Sequence, residues 1–447
     1  MDPIEAWHEL LGADGEFPEQ LSASLSAEMR ARKLTFGDRI HCPFLRPFFL
    51  TAADEMRIRA AAETVAALGE RVARAAMDSP ALFRALGVTS AEEPLIRIDP
   101  GYDTASTASR LDAFLLPDSL RFAEYNAESP AGPAYTQRLC ELFDALPVMA
   151  RFRKGRRVSY HRAIPVLLEA LITSYREWGG RATPPLIAIV DWREVPTWSE
   201  FEIIREAFEA EGVPALVCDP RELSYDRGAL AAGGRRIDLV YRRVLLNDIV
   251  ARRSECAALV EAYAAKAVCV ANTFRCKLSH KKAFFAVLTD PAHAGLFSDT
   301  ERAAIRTHIP WTRLVADTAT ERDGLRAALL EIARRDREHL VLKPNDEYGG
   351  KGVLLGWESS PTAWDEALDG ALRDPPGSWI VQERIAVRRE VFPQFDDAGR
   401  VTMRDMLVDL APYIFRGRLG GYLTRLSATG LANVTSGGGQ VPPFVVS

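Results

Sequence analysis

Hydrophobic spacing along the chain changes character twice. Ala52–Met77 carries Met56, Ile58, Ala62, Val65, Ala66, Leu68 and Val72 at helical intervals among Glu and Arg, which predicts an amphipathic helix. Residues 1–95 read as a mainly helical N-terminal part. His41–Leu50, interrupted by Pro43 and Pro47, reads as a chain crossing over a core. Leu95–Asp99 and Ser119–Tyr125 read as short strands. The stretch 160–178 reads as a helix. Pro185–Val190, Val213–Cys218 and Ile237–Tyr241 are apolar runs, and between the first two lies a helical stretch, Glu200–Glu211, with Phe201, Ile204, Ala207 and Phe208 on one face and Gly212 as its stop. Strand, helix and strand with short connections predict a parallel sheet with a right-handed crossover. A small α/β domain is therefore expected at 155–255.

Beyond residue 255, helices are expected at 255–267, 281–289, 299–306 and 321–337. Strands follow at His339–Lys343, Val353–Trp357, Trp379–Glu383, Val401–Leu410, Tyr413–Arg416 and Tyr422–Leu426. Their Gly turns predict an antiparallel or mixed sheet. The expected division is 1–95 helical, 96–150 carrying candidate site strands, 155–255 α/β, and 256–447 a second, larger part.

Composition narrows the class. The 447 residues are 47% apolar and 26% charged, with 56 Lys and Arg against 61 Asp and Glu, a net charge of −5. That is an ordinary globular balance for two or three packed units. It argues against a dedicated nucleic-acid binder, which needs excess phosphate-neutralising charge. No apolar run approaches a membrane span, and the first residues do not form a signal peptide. Six Cys without C-x-x-C spacing read as free thiols of a reducing compartment, so the cytoplasm is expected.

Three constellations carry candidate chemistry. Leu340–Leu355 runs apolar strand, Lys343-Pro344, a loop Asn345-Asp346-Glu347-Tyr348-Gly349-Gly350-Lys351-Gly352, then apolar residues again. Glycines let backbone N–H groups approach phosphate oxygens, and Lys343 and Lys351 bracket the loop with positive charge. Strand–loop–strand order argues against a Walker loop or a Rossmann fingerprint, which lead into a helix. A plain hairpin with solvated lysines is the alternative. Trp379–Ile385 is a strand ending in Gln382-Glu383, whose edge can read an adenine or hold ribose hydroxyls; an ordinary exposed strand end is the alternative. Upstream, Arg110 and Asp112 share one face of an extended segment, as do Glu124 and Asn126. Asp, Glu and Asn supply hard oxygen ligands suited to Mg²⁺, with an Arg beside them to neutralise a transferring phosphoryl group. An acidic hairpin in solvent is the alternative.

These motifs together resemble the circularly permuted ATP-grasp family, as seen in the synthetase domain of glutathionylspermidine synthase. Arg110-Leu111-Asp112 precedes Glu124-Tyr125-Asn126-Ala127-Glu128-Ser129-Pro130 at the family's spacing, with Glu128 where Asp is commoner. The resemblance implies a mixed α+β, α/β architecture: a permuted ATP-grasp fold with a small parallel α/β domain. It implies Asp112, Glu124 and Asn126 as magnesium ligands and Arg110 at the transferred phosphate. It also implies Lys282, within Ser279–Phe284, and Lys343 as ATP-contacting lysines. Tyr348, Gly349, Gly350, Lys351 and Gly352 correspond to its phosphate loop, and Gln382, Glu383 and Ile385 to its adenine hinge. The implied cofactors are ATP and Mg²⁺. The implied activity is a carboxylate–amine ligase acting through an acyl phosphate on a small acid and an amine (an amino acid, peptide or polyamine), with no nucleic-acid or membrane partner. A small-molecule kinase and a nucleotide-binding module without catalysis are the rival classes.

Four weaker expectations complete the reading. Arg425 is a candidate contact for a substrate carboxylate or acyl phosphate. Arg242 and Arg243, ending an α/β strand, are candidate substrate contacts. Asn433–Gly439 ends in three glycines that could form an anion nest. Asp405 and Asp409 share a strand face, but Asp112, Glu124 and Asn126 already fill the metal role.

Overall fold

The computed structural model describes residues 2–12, 17–37, 39–128, 130–429 and 438–447. Helices Pro3–Gly12, Phe17–Ala31 and Ala52–Met77 open the chain. The third starts where expected because Thr51 caps it, its hydroxyl accepting from the Asp54 amide at 3.0 Å. Its buried stripe includes Ile58, Ala62, Val65, Ala66 and Val72. The proline-rich segment before it does cross a core, with Phe44 fully buried, but it ends in a strand. Phe48–Thr51 pairs in parallel with the C-terminal strand Pro443–Val446.

Four strands form the expected parallel sheet, in the order Cys269–Ala271, Leu239–Arg242, Ile187–Val190, Ala215–Cys218. Cys269–Ala271 was not anticipated. Its neighbours in sequence are helical, and three residues are too few to show a period. A three-stranded antiparallel insert, Leu223–Asp226, Ala229–Ala232 and Arg235–Arg236, also interrupts the α/β alternation.

The largest sheet joins the two ends of the site. Its path runs Gly439–Gln440, Arg418–Ser427, Val401–Phe415, Ala108–Leu115, Leu120–Asn126, and Arg388–Phe395 pairs with the first half of Val401–Phe415. The hairpin at 108–126 thus lies beside a strand just over 300 positions later, with Arg110 opposite Tyr413. A smaller antiparallel sheet, Thr312–Leu314, Trp379–Glu383, Leu340–Pro344, Leu354–Leu355, has its own core around Trp364, Leu368, Leu342 and Val381.

Several expectations are corrected. Glu93–Ile96 is a helical turn, not a strand at Leu95–Asp99: Pro94 fits a first turn, and the Ile96 amide reaches the Glu92 carbonyl at 3.0 Å. The helix expected at 321–337 begins only at Leu329. Before it, Ala319–Arg322 and Leu325–Ala328 form a hairpin turned by Asp323-Gly324, both at positive φ (+51° and +77°), as an Asp-Gly turn demands. Val401–Leu410 and Tyr413–Arg416 are one strand, Val401–Phe415. Pro412 is tolerated there beside a register shift at Tyr413/Ile414. Helix Pro361–Arg373 was not anticipated, although it carries a Ser360 cap, Pro361 at its start and buried Trp364, Leu368 and Ala371, signals a sequence reading can use.

Trp364 is fully buried and donates its indole N–H to the Ala333 carbonyl at 2.9 Å. Trp364→Ala is expected to cost the smaller core about 3–5 kcal/mol. Urea unfolding followed by far-UV circular dichroism should then split, with the smaller lobe melting first and the main transition unmoved. A single transition shifted as a whole would mean that the two cores unfold together.

Candidate functional site

The two sheets face each other across a cleft of about 420 Å³. Asp112, Glu124, Asp409 and Arg425 line it from the large sheet, and Lys343, Gln382, Glu383 and Ile385 from the small one. Lys282 enters from the segment between helices Lys277–His280 and Ala283–Thr289. Residues widely separated in sequence therefore meet in one place.

The hairpin fixes the acidic floor by register. Asp112 pairs with Glu124 and Arg110 with Asn126, so all four side chains project from one face. Asn126 Nδ2 donates to Glu124 Oε1 at 3.0 Å and to Asp112 Oδ1 at 3.3 Å. One amide thus ties the two carboxylates together. This hard-oxygen donor set fits magnesium. Arg110 Nε donates to Asp112 Oδ1 at 2.9 Å, and its Nη1 to the Ala131 carbonyl at 3.0 Å. On the neighbouring strands Arg425 bridges Asp112 and Asp409, its Nε donating to Asp409 Oδ2 at 2.6 Å. Burial alone would raise the Asp112 carboxyl, but the guanidiniums of Arg110 and Arg425 outweigh it and hold the group well below the usual carboxylate range. Burial wins at Asp409 and pushes its carboxyl up to about 6, against Arg425.

The lysines are held just as closely. Lys282 Nζ donates to the Glu347 carbonyl at 2.5 Å and lies 3.5 Å from Glu124 Oε2. Asn345, which was not anticipated as a site residue, sets that position. Its carbonyl accepts from the Lys282 amide and its Oδ1 from the Ala283 amide, while its Nδ2 donates to the carbonyls of Leu86 and Gly377. Lys343 Nζ donates to Gln382 Oε1 at 2.7 Å, and Gln382 Nε2 donates to Thr312 at 3.1 Å. The Gln382 side chain is thereby committed to orienting Lys343. Burial lowers the Lys343 ammonium to about 8, opposed by Glu124.

The glycine loop folds as the composition implies. Gly349, Gly350 and Gly352 take φ of +67°, +76° and +73°, values that only glycine adopts freely. At Gly352 a Cβ would also meet Pro344 at 2.7 Å. Gly349, Gly350 and Lys351 border the cleft. Tyr348 is 64% exposed and, like Gly352, lies off the cleft wall.

Other expectations are corrected. Arg242 is fully buried and bonds Glu128 and the carbonyls of Asn272, Thr273 and Val244, so it is a structural residue. Arg243, also buried, donates to the Pro130 carbonyl and Tyr241. Asp405 lies off the cleft, paired with Arg389 of its lining, whereas Asp409 lines it directly. Asn433–Gly437 lie outside the described residues. Gly439 is a strand residue whose Cβ would clash with Pro43 and the His41 carbonyl, a packing reason for glycine.

No protein-family model matches the chain. Over 341 residues it is 23% identical to a protein of Frankia casuarinae named a putative glutamate–cysteine ligase, covering 72% of this chain and 36% of that one. Over 347 residues it is 25% identical to an uncharacterized protein of Mycobacterium tuberculosis, covering 73% and 58%. The alignments thus span well under two thirds of these curated relatives. Among solved structures, a glutathione synthetase-like effector from Globodera pallida superposes with a TM-score of 0.61 at 13% identity, over 97% of this chain and 98% of that one. The mixed α+β fold is therefore a glutathione synthetase-like one. One relative is thus named a putative glutamate–cysteine ligase and the structural neighbour a glutathione synthetase-like effector; neither name specifies glutathionylspermidine synthase.

An anion in this cleft favours charged Lys343. Below pH about 8 the ammonium is already charged; above it, binding must first take up a proton. Affinity for sulfate, a fixed dianion, should therefore fall by up to about tenfold per pH unit above that value. Lys343→Arg, charged throughout, should flatten the profile. Calorimetric titration from neutrality to about pH 10 checks both, and equal slopes for the two proteins would remove Lys343 from the anion site.

Proposed function

We propose that the chain is an ATP- and magnesium-dependent carboxylate–amine ligase of the circularly permuted ATP-grasp type, acting through an acyl phosphate and releasing ADP and phosphate. The observation that carries this reading is the convergence of Lys282 and Lys343 with Asp112, Glu124 and Asn126 at one cleft, flanked by Arg110 and Arg425. The distant relative named as a glutamate–cysteine ligase supports the same class. Permutation fits the order along the chain, in which the acidic strands precede both lysines.

In this reading the adenine lies against Val341, Leu355 and Ile385 and meets the backbone at Glu383–Ile385. Lys282, Lys343 and the N–H groups of the Gly349–Gly352 loop hold the phosphates. Asp112, Glu124 and Asn126 hold magnesium, which supplies charge neutralisation at the phosphate oxygens. Arg425, with Asp409 behind it, orients the substrate carboxylate, and Arg110 steadies the phosphoryl group as the carboxylate attacks it. The amine then displaces phosphate from the acyl carbon. Phosphoryl transfer of this kind asks the protein mainly for position and compensating charge. The substrates are a small acid and an amine (an amino acid, peptide or polyamine), and neither nucleic acid nor membrane has a part. The six free, buried cysteines suit a reducing compartment such as the cytoplasm.

Magnesium-dependent ADP release, assayed with pools of acids and amines, is expected only when both substrate classes are present. ADP from one substrate alone, with a stable phosphorylated product, would make the protein a kinase. Absence of nucleotide binding by calorimetry would sink the reading. Glu124→Ala should lower kcat by about 10²–10³-fold with an unchanged melting temperature.

A further inference from the structure

Behind the cleft lies a second cluster of charges that does not border it. Lys277, fully buried, places its ammonium 3.2 Å from Glu128 Oε2 and 2.6 Å from Asp346 Oδ1. Lys281, almost as buried, bonds Asp346 Oδ2 and Glu92 Oε1, both at 3.0 Å. Glu128 also accepts from Arg242 at 2.9 Å. His280 lies 3.8 Å from Glu128, with its imidazole pushed down to about 4 by burial and by Lys277, so it stays neutral. Glu128 comes two residues after Asn126. Asp346 comes three after Lys343 and directly before Glu347, whose carbonyl receives Lys282. One ammonium therefore joins the base of the acidic hairpin to the stem of the glycine loop.

A buried ammonium with one partner is costly, because its desolvation is only partly offset. Neither segment can shift away from Lys277 without leaving a buried charge exposed to that cost. Burial tends to discharge Lys277, but Glu128 and Asp346 hold it charged, above the usual ammonium range. Nothing about filling space requires a charge here, since an apolar side chain of similar length would pack. The charge makes sense as a link.

We propose that Lys277 is a positioning residue that sets the acidic hairpin and the glycine loop in one register, so that displacement of either moves the other. The inference rests on the reading of the cleft as a metal–nucleotide site. It predicts behaviour that a local, purely stabilising ion pair lacks. Asp346→Asn perturbs the loop side only, and Glu128→Gln the hairpin side only. With coupling through Lys277, Asp346→Asn should raise deuterium uptake at 124–128 as well as at 345–347, and Glu128→Gln should do the same in reverse. Each cross-effect is expected within about 5–150-fold, the range of site-to-site coupling. In a Lys277→Met background the cross-effects should vanish. In turnover, each single variant should change the KM for ATP and kcat together.

Uptake changes confined to the mutated segment, or a lower melting temperature with KM and kcat both intact, would overturn the proposal. If Lys277→Met does not fold, the two conservative variants decide the matter alone. Wild-type protein that neither binds nor consumes ATP would overturn the reading of the cleft. The exchange experiment reports on the link itself without any nucleotide, so the two failures are distinguishable.

Discussion

A carboxylate with no access to solvent holds this site together. Glu128 accepts from Arg242 of the parallel sheet, from the Leu246 amide at 2.6 Å and from Lys277. Its own carbonyl, with those of Ala108 and Ala127, accepts from Asn272, which in turn takes the Ala108 amide on its Oδ1. The two ends of the acidic hairpin are thereby sewn to the carboxyl end of the α/β sheet. Taking such charges out of water costs several kcal/mol per ion unless every lone pair and proton is matched. Burial pushes Glu128 up, yet Lys277 and Arg242 bring it down to about 2. A network of this kind does more for uniqueness than for stability: a shifted hairpin would strand at least one buried ion.

That constraint makes the charge pattern of the cleft intelligible. Asp112 is neutralised by Arg110 and Arg425, and Arg425 is shared with Asp409. The cations are thus held in place by carboxylates rather than left to collapse on one another. The donors of the cleft are thus oriented in advance, and little reorganisation would be asked of them. Lys343 follows the same logic. Its ammonium is anchored by Gln382, which is itself fixed on Thr312, rather than by a carboxylate within bonding distance, which is why burial lowers it so far.

What the sequence revealed divides along a physical line. Residue types with one dominant chemical use were legible: two spaced carboxylates and an Asn on alternating positions, a Lys closing a strand, glycines in a polar loop. The parallel sheet was legible because its strands are buried on both faces and read as continuous apolar runs. Residues whose role is to hold another residue were not. Asn345, Lys277, Lys281 and Asp346 sit in segments where a polar side chain normally implies solvent. Only their partners, up to 259 positions away in the case of Asn345 and Leu86, give them meaning. Arg242 and Arg243 failed in the opposite direction: a strand end in an open α/β sheet suggests ligand, but here that end is covered by the hairpin the arginines anchor. The hairpin at 319–328 was hidden by helix-forming residues around one Asp-Gly turn.

The same anchoring defines where the site can still move. The stem of the glycine loop is fixed at Asn345 by five hydrogen bonds and at Asp346 by two ammonium groups. Its far end is fixed where Gly352 packs against the Pro344 ring. Between these points lie Glu347, Tyr348, Gly349, Gly350 and Lys351, with Tyr348 and the Lys351 side chain exposed. Glycine backbones and exposed side chains resist displacement least. Conformational freedom is therefore concentrated at residues 348–351, while Glu347, whose carbonyl accepts from Lys282, and Lys343, bonded to Gln382, are held in place. Movement of that tip alone need not disturb the stem at Asn345 and Asp346, which other residues hold.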